Sequence, residues 1–367
     1  MDIARTKRSG PGDLTIPQLP AVIGRQPLSR RWLLGAGATV PLAGVLAACG
    51  GEESPEDSNG GNGTPDRVTY LTSFGQLGRD AYAYVAQDLG FFSENGIDVT
   101  IESGAGGNPN MTTLLGGQAQ FVVFDMSAAI IAKDQGTDGF TAIAAIHQLP
   151  PVALMTGDPD IRNPADLQGR TVGIAPGTVT ELLFPTWMEQ ANADPSQVEV
   201  IPVNPPDLVS ALLSGGVDAI EQFVMGEPLI ANAVGGAVNV LAYSDFLTDL
   251  YGVCLMTTTE LATDNPDLCR RFRDALLRGL EYSLANPQEA GEILVNHAPE
   301  ANPEVAGREL ELMRSYSEPL SGPLGTIDPV RLGRAISLLH SAGAISVDTA
   351  LEPEDLADFS LVPGGTA

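Results

Sequence analysis

The residues able to do chemistry in this chain sit where apolar, strand-like runs end. Phe121-Val122-Val123-Phe124 leads into Asp125 and then Ser127, and Ala219-Ile220 leads into Glu221 and Gln222. Val68 to Ser73 is followed by Phe74 and Arg79, and a glycine-rich turn further on carries Asn108. Gly177-Thr178-Val179-Thr180-Glu181 opens a helical pattern, while His147 and Tyr251 stand beside two further apolar runs. Carboxylates accept hydrogen bonds, hydroxyls do both, and Arg79 is the one cation in the set. The free amides at the Thr178 helix start can hold an anion or a carbonyl oxygen. The plainer readings are ordinary capping by Thr178 or Thr180, solvated loop acids, and aromatic side chains spent on the core. At least one of Asp125 and Glu221 is expected in a ligand cleft.

Catalysis finds little support in the same residues. The three histidines, His147, His297 and His340, are far apart and have no carboxylate or cysteine at metal-ligand spacing. There is no G-x-S-x-G elbow, P-loop lysine or Cys-x-x-Cys. Gly104-Ala105-Gly106 lacks the third glycine of a dinucleotide fingerprint and reads as a turn. No catalytic residue, metal or cofactor is therefore expected, and His147 reads as a hydrogen bonder and not a base.

The elements that must position these side chains alternate between strand and helix. Val68–Ser73, Ile97–Ile101 and Gln120–Phe124 are strand-like, with helical spacing over Asp80–Leu89 and from Met111 to Leu115. About a hundred residues later the order returns: Arg170–Ile174, Glu181–Gln190, Val198–Pro202. Leu114-Leu115-Gly116-Gly117 has a counterpart in Leu212-Leu213-Ser214-Gly215, each followed by an apolar strand. Two similar α/β lobes, each a parallel sheet covered by helices, are the economical arrangement. Ligands then lie beyond the carboxyl ends of the strands, where the loops named above converge.

The first 66 residues do other work. Arg30-Arg31, an uncharged run from Trp32 to Ala48, and Leu46-Ala47-Ala48-Cys49 have the order of an export signal, in a run short for a membrane span. The stretch resembles a bacterial twin-arginine signal joined to a lipobox, with Leu33 and Gly35 departing from the usual residues. It implies removal of residues 1–48 and a lipid on Cys49 that holds the protein to the outer face of the membrane. Residues 49–66 read as a flexible tether. The whole chain has a net charge of -27; residues 1–48 hold six Lys or Arg and two Asp or Glu, so 13 basic against 44 acidic residues remain, a net -31. That surface argues against nucleic acid. Cys254 and Cys269 remain besides Cys49, and whether they pair is open.

Four stretches in order resemble one family: Leu89-Gly90-Phe91-Phe92 with Gly96-Ile97-Asp98-Val99, Asp166 to Gly173, Ser214 to Ala219, and Asn286-Pro287-Gln288-Glu289-Ala290. They are similar to the substrate-binding proteins of bacterial ABC importers for nitrate, sulfonates, taurine and thiamine precursors. The resemblance implies a two-lobed, type II periplasmic-binding-protein-like fold with a hinge of two crossing strands, near His147–Met155 and Tyr251–Thr257. It further implies lobe 1 from 67–149, lobe 2 from 150–253, completion of lobe 1 over 254–345, and a tail at 346–367. The expected partners are a small-molecule ligand and an importer permease, with the chain a monomer. A neutral or weakly basic heterocycle is the expected ligand, because one cation faces Asp125, Glu181 and Glu221, and each unit charge at ~4 Å counts for about 4 kcal/mol at an effective dielectric of 20. Sulfonate, taurine or nitrate is the alternative. A pyrimidine-synthesising enzyme of the same fold is the alternative of another class, although its cysteine-rich iron motif has no match here.

Overall fold

A computed structural model describes residues 64–365 apart from Val347. The expected export signal, Cys49 and most of the tether lie outside the described residues. Asp66 already belongs to the fold: it opens the first strand, and its carboxylate takes Arg271 at 2.8 Å.

Lobe 1 begins with β1 (Asp66–Leu71), α1 (Ala81–Asp88), β2 (Ile97–Glu102), α2 (Gly107–Leu115), β3 (Phe121–Asp125), α3 (Met126–Asp134) and β4 (Phe140–Ala145). The chain then crosses to lobe 2, which holds β5 (Val152–Thr156), β6 (Thr171–Ile174), α4 (Val179–Gln190), β7 (Glu199–Pro202), α5 (Leu208–Leu213), β8 (Ala219–Phe223), α6 (Glu227–Val234) and β9 (Asn239–Ala242). It crosses back into β10 (Val253–Thr258) and ends in α7 (Pro266–Ala285), α8 (Pro287–His297), α9 (Pro303–Ser317) and α10 (Pro329–Ser341).

The two sheets are mixed and not purely parallel, which corrects the expectation. Lobe 1 has the order β2-β1-β3-β10-β4, and β10 runs antiparallel to both neighbours. Lobe 2 has the order β9-β5-β8-β6-β7, with β5 antiparallel to β8 and β9. The cause is the path: a strand entered directly from the other lobe arrives from the cleft side and must run against strands that lead toward it. The remaining pairs of each sheet are parallel, so their carboxyl ends point at the gap between the lobes. The crossings are residues 146–151 and 243–252, tied to each other where Ile146 N and His147 N donate to Val253 O at 3.0 Å and Gly252 N donates to His147 O at 3.1 Å.

The internal repeat is exact at the helix ends. Gly117 and Gly215 both adopt positive φ (70° and 71°). In each, the next residue's amide reaches back to a carbonyl in the last turn, Gln118 to Thr113 and Gly216 to Ala211, the left-handed stop that glycine takes without a Cβ clash.

Aromatic packing holds the layers. Phe272 of α7 stacks on Phe121 at 4.0 Å between centroids, with Phe92 and Tyr70 alongside. In lobe 2, Trp187 of α4 stacks on Tyr243 at 4.6 Å and donates to Ala242 O at 3.2 Å. Cys254 and Cys269 are buried free thiols in β10 and α7. The segment expected to be a tail is packed: Ala142 N donates to Leu356 O, Asp358 N donates to Ala142 O, and Leu356, Ala357, Leu361 and Val362 are buried. It covers the exposed edge that β4 would otherwise present. No helix among the described residues is long and apolar enough to cross a membrane.

Candidate functional site

Two helices point their N-termini at the gap, one capped by a carboxylate and the other by a hydroxyl. Asp125 ends β3 in an extended conformation and accepts from Ala128 N at 3.0 Å, starting α3. Across the gap Thr178 caps α4, accepting from Glu181 N at 3.2 Å, while the Glu181 carboxylate turns back to accept from Gly177 N at 2.7 Å. The Thr178 hydroxyl has Ala175 O at 2.8 Å and Glu221 Oε2 at 3.2 Å as acceptors for its single proton. At the start of α4 the amides of Gly177 and Glu181 are therefore already in use.

Between the caps lies a cavity with about 10 Å³ open to the centre of a water-sized sphere, room for about one water. Lobe 1 contributes Asp125 and Ser127; the crossings contribute Pro150, Tyr243 and Leu250; lobe 2 contributes Val152, Val179, Thr180 and Leu183. Burial pushes the Asp125 carboxyl up to about 6, against the amides of Ala128 and Ser127, which pull it down. Burial likewise pushes Glu221 above its ordinary range, against hydrogen bonds from Thr180, Ala175 and Thr178. Each acid is thus biased toward its neutral form by burial.

A second polar group is buried where the lobes touch. Arg79 lies with its guanidinium 5.1 Å from the centroid of Phe223, which belongs to lobe 2. Its backbone N donates to Glu309 Oε2 of α9 at 3.1 Å, and Asp80 Oδ1 accepts from the amide and hydroxyl of Ser73 at 2.9 and 2.8 Å. His147 is 2 % exposed, and burial with the Arg79 charge drives its imidazole down to about 3, so the ring is neutral. Arg79 Nε, Asp80 Oδ2 and both His147 ring nitrogens are buried without a hydrogen-bond partner among the described residues. Such atoms cost about 1–3 kcal/mol each when left unpaired, so this junction is where a ligand or water has most to give.

The structure brings Asp125, Ser127 and Thr180 to the cavity wall, with Thr178 and Glu221 directly behind, and Ser73, Arg79 and His147 into the junction. Other candidates stand elsewhere. Phe74 is 51 % exposed and Asn108 is exposed; Asn110 is the buried one, tying Thr72 O to Ala105 N. Gly177 and Glu181 satisfy one another at the surface, and Gln222 accepts from the amide of Phe223. Tyr251 is a correction: its ring is covered by Arg331 at 4.1 Å and its hydroxyl accepts from Asp328 N at 2.9 Å, so it braces the second crossing. Tyr243, Asp80 and Glu309 were missed. Tyr243 directly follows a strand, and Glu309 shares the buried helical stripe of Ala306, Leu310 and Met313.

The fold is two α/β lobes joined by two crossings and closed on a shared cavity. The chain belongs to the family described as NMT1/THI5 like, which matches residues 80–290. Among its relatives, a formylaminopyrimidine-binding protein of Halalkalibacterium halodurans is 25% identical over 266 residues, 71% of this chain and 80% of that protein. A riboflavin-binding protein of Chloroflexus aurantiacus is 24% identical over 343 residues, 89% of this chain and 93% of that one. A 4-amino-5-hydroxymethyl-2-methylpyrimidine phosphate synthase of Legionella pneumophila is 25% identical over 240 residues, 64% of this chain and 74% of that protein. The periplasmic aliphatic sulphonate binding protein of Escherichia coli shares the fold, with a TM-score of 0.61 at 15% identity over 80% of this chain and 92% of that one.

Proposed function

We propose that this chain is the substrate-binding component of an ABC importer, and that its ligand is a neutral or weakly basic heterocycle such as a thiamine pyrimidine precursor or a flavin-like vitamin. One observation carries the ligand class: acids of the chain itself stand at both helix starts, Asp125 capping α3 through Ala128 N and Glu221 Oε2 3.2 Å from the Thr178 hydroxyl that caps α4. A sulfonate or nitrate would have to displace these carboxylates or lie against them. A ring avoids this. Its N–H or amino groups donate to Asp125 or Glu221, the hydroxyls of Thr178 and Thr180 serve its edge, and Arg79 with neutral His147 supply donors and an acceptor at the junction. Relatives named for a formylaminopyrimidine and for riboflavin support the same class.

Calorimetry against aminopyrimidines, riboflavin, taurine, alkanesulfonates and nitrate tests the proposal, with micromolar binding expected for a ring compound and none for the anions. Tight binding of a sulfonate or nitrate alone would sink it. A synthase among the relatives keeps an enzyme reading in view, and mass spectrometry of the recovered ligand separates the two: a binder returns it unchanged. The importer reading also includes export and a lipid on Cys49. Labelling with a fatty-acid analogue should mark the wild type and spare Cys49→Ala; equal labelling would remove the anchor from the reading.

A further inference from the structure

Arg331 is a buried cation, 6 % exposed, at the start of α10, and no carboxylate among the described residues pairs with its guanidinium. Its partners are backbone carbonyls from both crossings. Nη2 donates to Thr248 O at 2.9 Å and Leu250 O at 2.7 Å in the second crossing, and also to Gln148 O in the first. The planar group lies 4.1 Å over the ring of Tyr251, also in the second crossing, while its Nε is buried and unpartnered. The same helix start is tied to the crossings twice more: Gln148 Nε2 donates to Thr326 O, and Asp328 N donates to Tyr251.

We propose that Arg331 is the pivot of the hinge, a positioning residue that sets how the two crossings sit relative to one another and so how far the lobes part. Nη2 carries two hydrogens and faces three carbonyls. One bond is always shared, so as the crossings shear it passes from one acceptor to another without leaving the charge unsolvated. The Tyr251 face holds the guanidinium plane through the exchange, which a compact lysine ammonium cannot reproduce. A hinge fastened only by backbone hydrogen bonds would break one at each opening. A buried carboxylate partner would lock the charge in a single geometry.

The proposal rests on the two-lobed fold and not on the ligand, so the decisive measurement is made without one. The full chain in a Cys49→Ala background carries spin labels on cysteines introduced at the exposed positions Gln118 in lobe 1 and Ser214 in lobe 2, while the buried Cys254 and Cys269 stay unlabelled. The wild-type distance distribution should be narrow. Arg331→Gln should broaden it and shift it to longer distances, and Arg331→Lys, which keeps the charge and loses the fork, should fall between. If Arg331→Gln fails to fold, Arg331→Lys alone decides. A variant that melts earlier yet leaves the distribution unchanged overturns the pivot and leaves Arg331 a plain structural residue. With riboflavin or an aminopyrimidine added, the variants should release it faster at an unchanged association rate. Failure of the wild type to bind any ring strikes the ligand proposal alone.

Discussion

Asp125 and His147 show how opposite the effects of one kind of burial are. Asp125 moves from 3.8 to about 6, so between those pH values the native carboxyl keeps a proton that the unfolded chain has lost, and stability falls as pH rises. His147 moves from 6.5 to about 3; there the unfolded chain holds the extra proton, and stability rises with pH. The carboxyls of Asp80, Glu221 and Glu309, all raised first by burial, act in the direction of Asp125. Asp125 alone amounts to about 3 kcal/mol at most. Urea unfolding across pH 4 to 6.5 should therefore show Asp125→Asn gaining stability with pH more steeply than wild type, and His147→Gln losing that rise. Unchanged slopes in both would mean that neither side chain is as dry as its surroundings suggest. Asp125 stood out in the sequence because an apolar strand runs straight into it. Glu309 did not, since its partner Arg79 lies 230 residues away and only packing brings them together.

At the level of elements, glycines carry much of the packing. Gly279 lies in the middle of α7 against α1, where a Cβ would fall on Tyr82 O and come within 2.7 Å of Ala86 Cβ. In a free helix Gly→Ala gains about 1 kcal/mol. Here overpacking costs about 1–3 kcal/mol against backbone that cannot swing aside, so the clash should win. Gly279→Ala is expected to lower the denaturant midpoint with the m-value unchanged; a raised midpoint would mean the two helices part freely. The repeated glycine stops at Gly117 and Gly215 made the two lobes readable, because a left-handed helix end followed by an apolar strand is a local pattern. The antiparallel sense of β5 and β10 was not readable, as it depends on where the chain crosses. The covering of β4 by Leu356 to Val362 escaped for the same reason: a short apolar segment says nothing of the edge it will meet.

At the scale of the molecule, the gap is shut. The wall residues leave room for about one water, the Arg79 guanidinium rests against Phe223 of the other lobe, and α9 packs on α6. A bicyclic or tricyclic ring cannot enter this arrangement by side-chain rotation alone, since Asp125 and Thr180 stand on opposite lobes and Pro150 and Tyr243 close the hinge side. Entry therefore waits on separation of the lobes, a hinge motion of the kind that usually takes microseconds to milliseconds. Stopped-flow mixing with whichever ring compound calorimetry identifies should give an observed rate that levels off with ligand concentration at the opening rate, as expected when a minor open state must form first. Phe223→Ala, which removes the cation–π contact holding the lobes together, should raise that plateau. A rate that climbs in proportion to ligand concentration, in wild type and variant alike, would show that the protein stands open in solution and that the shut gap is not what the ligand meets.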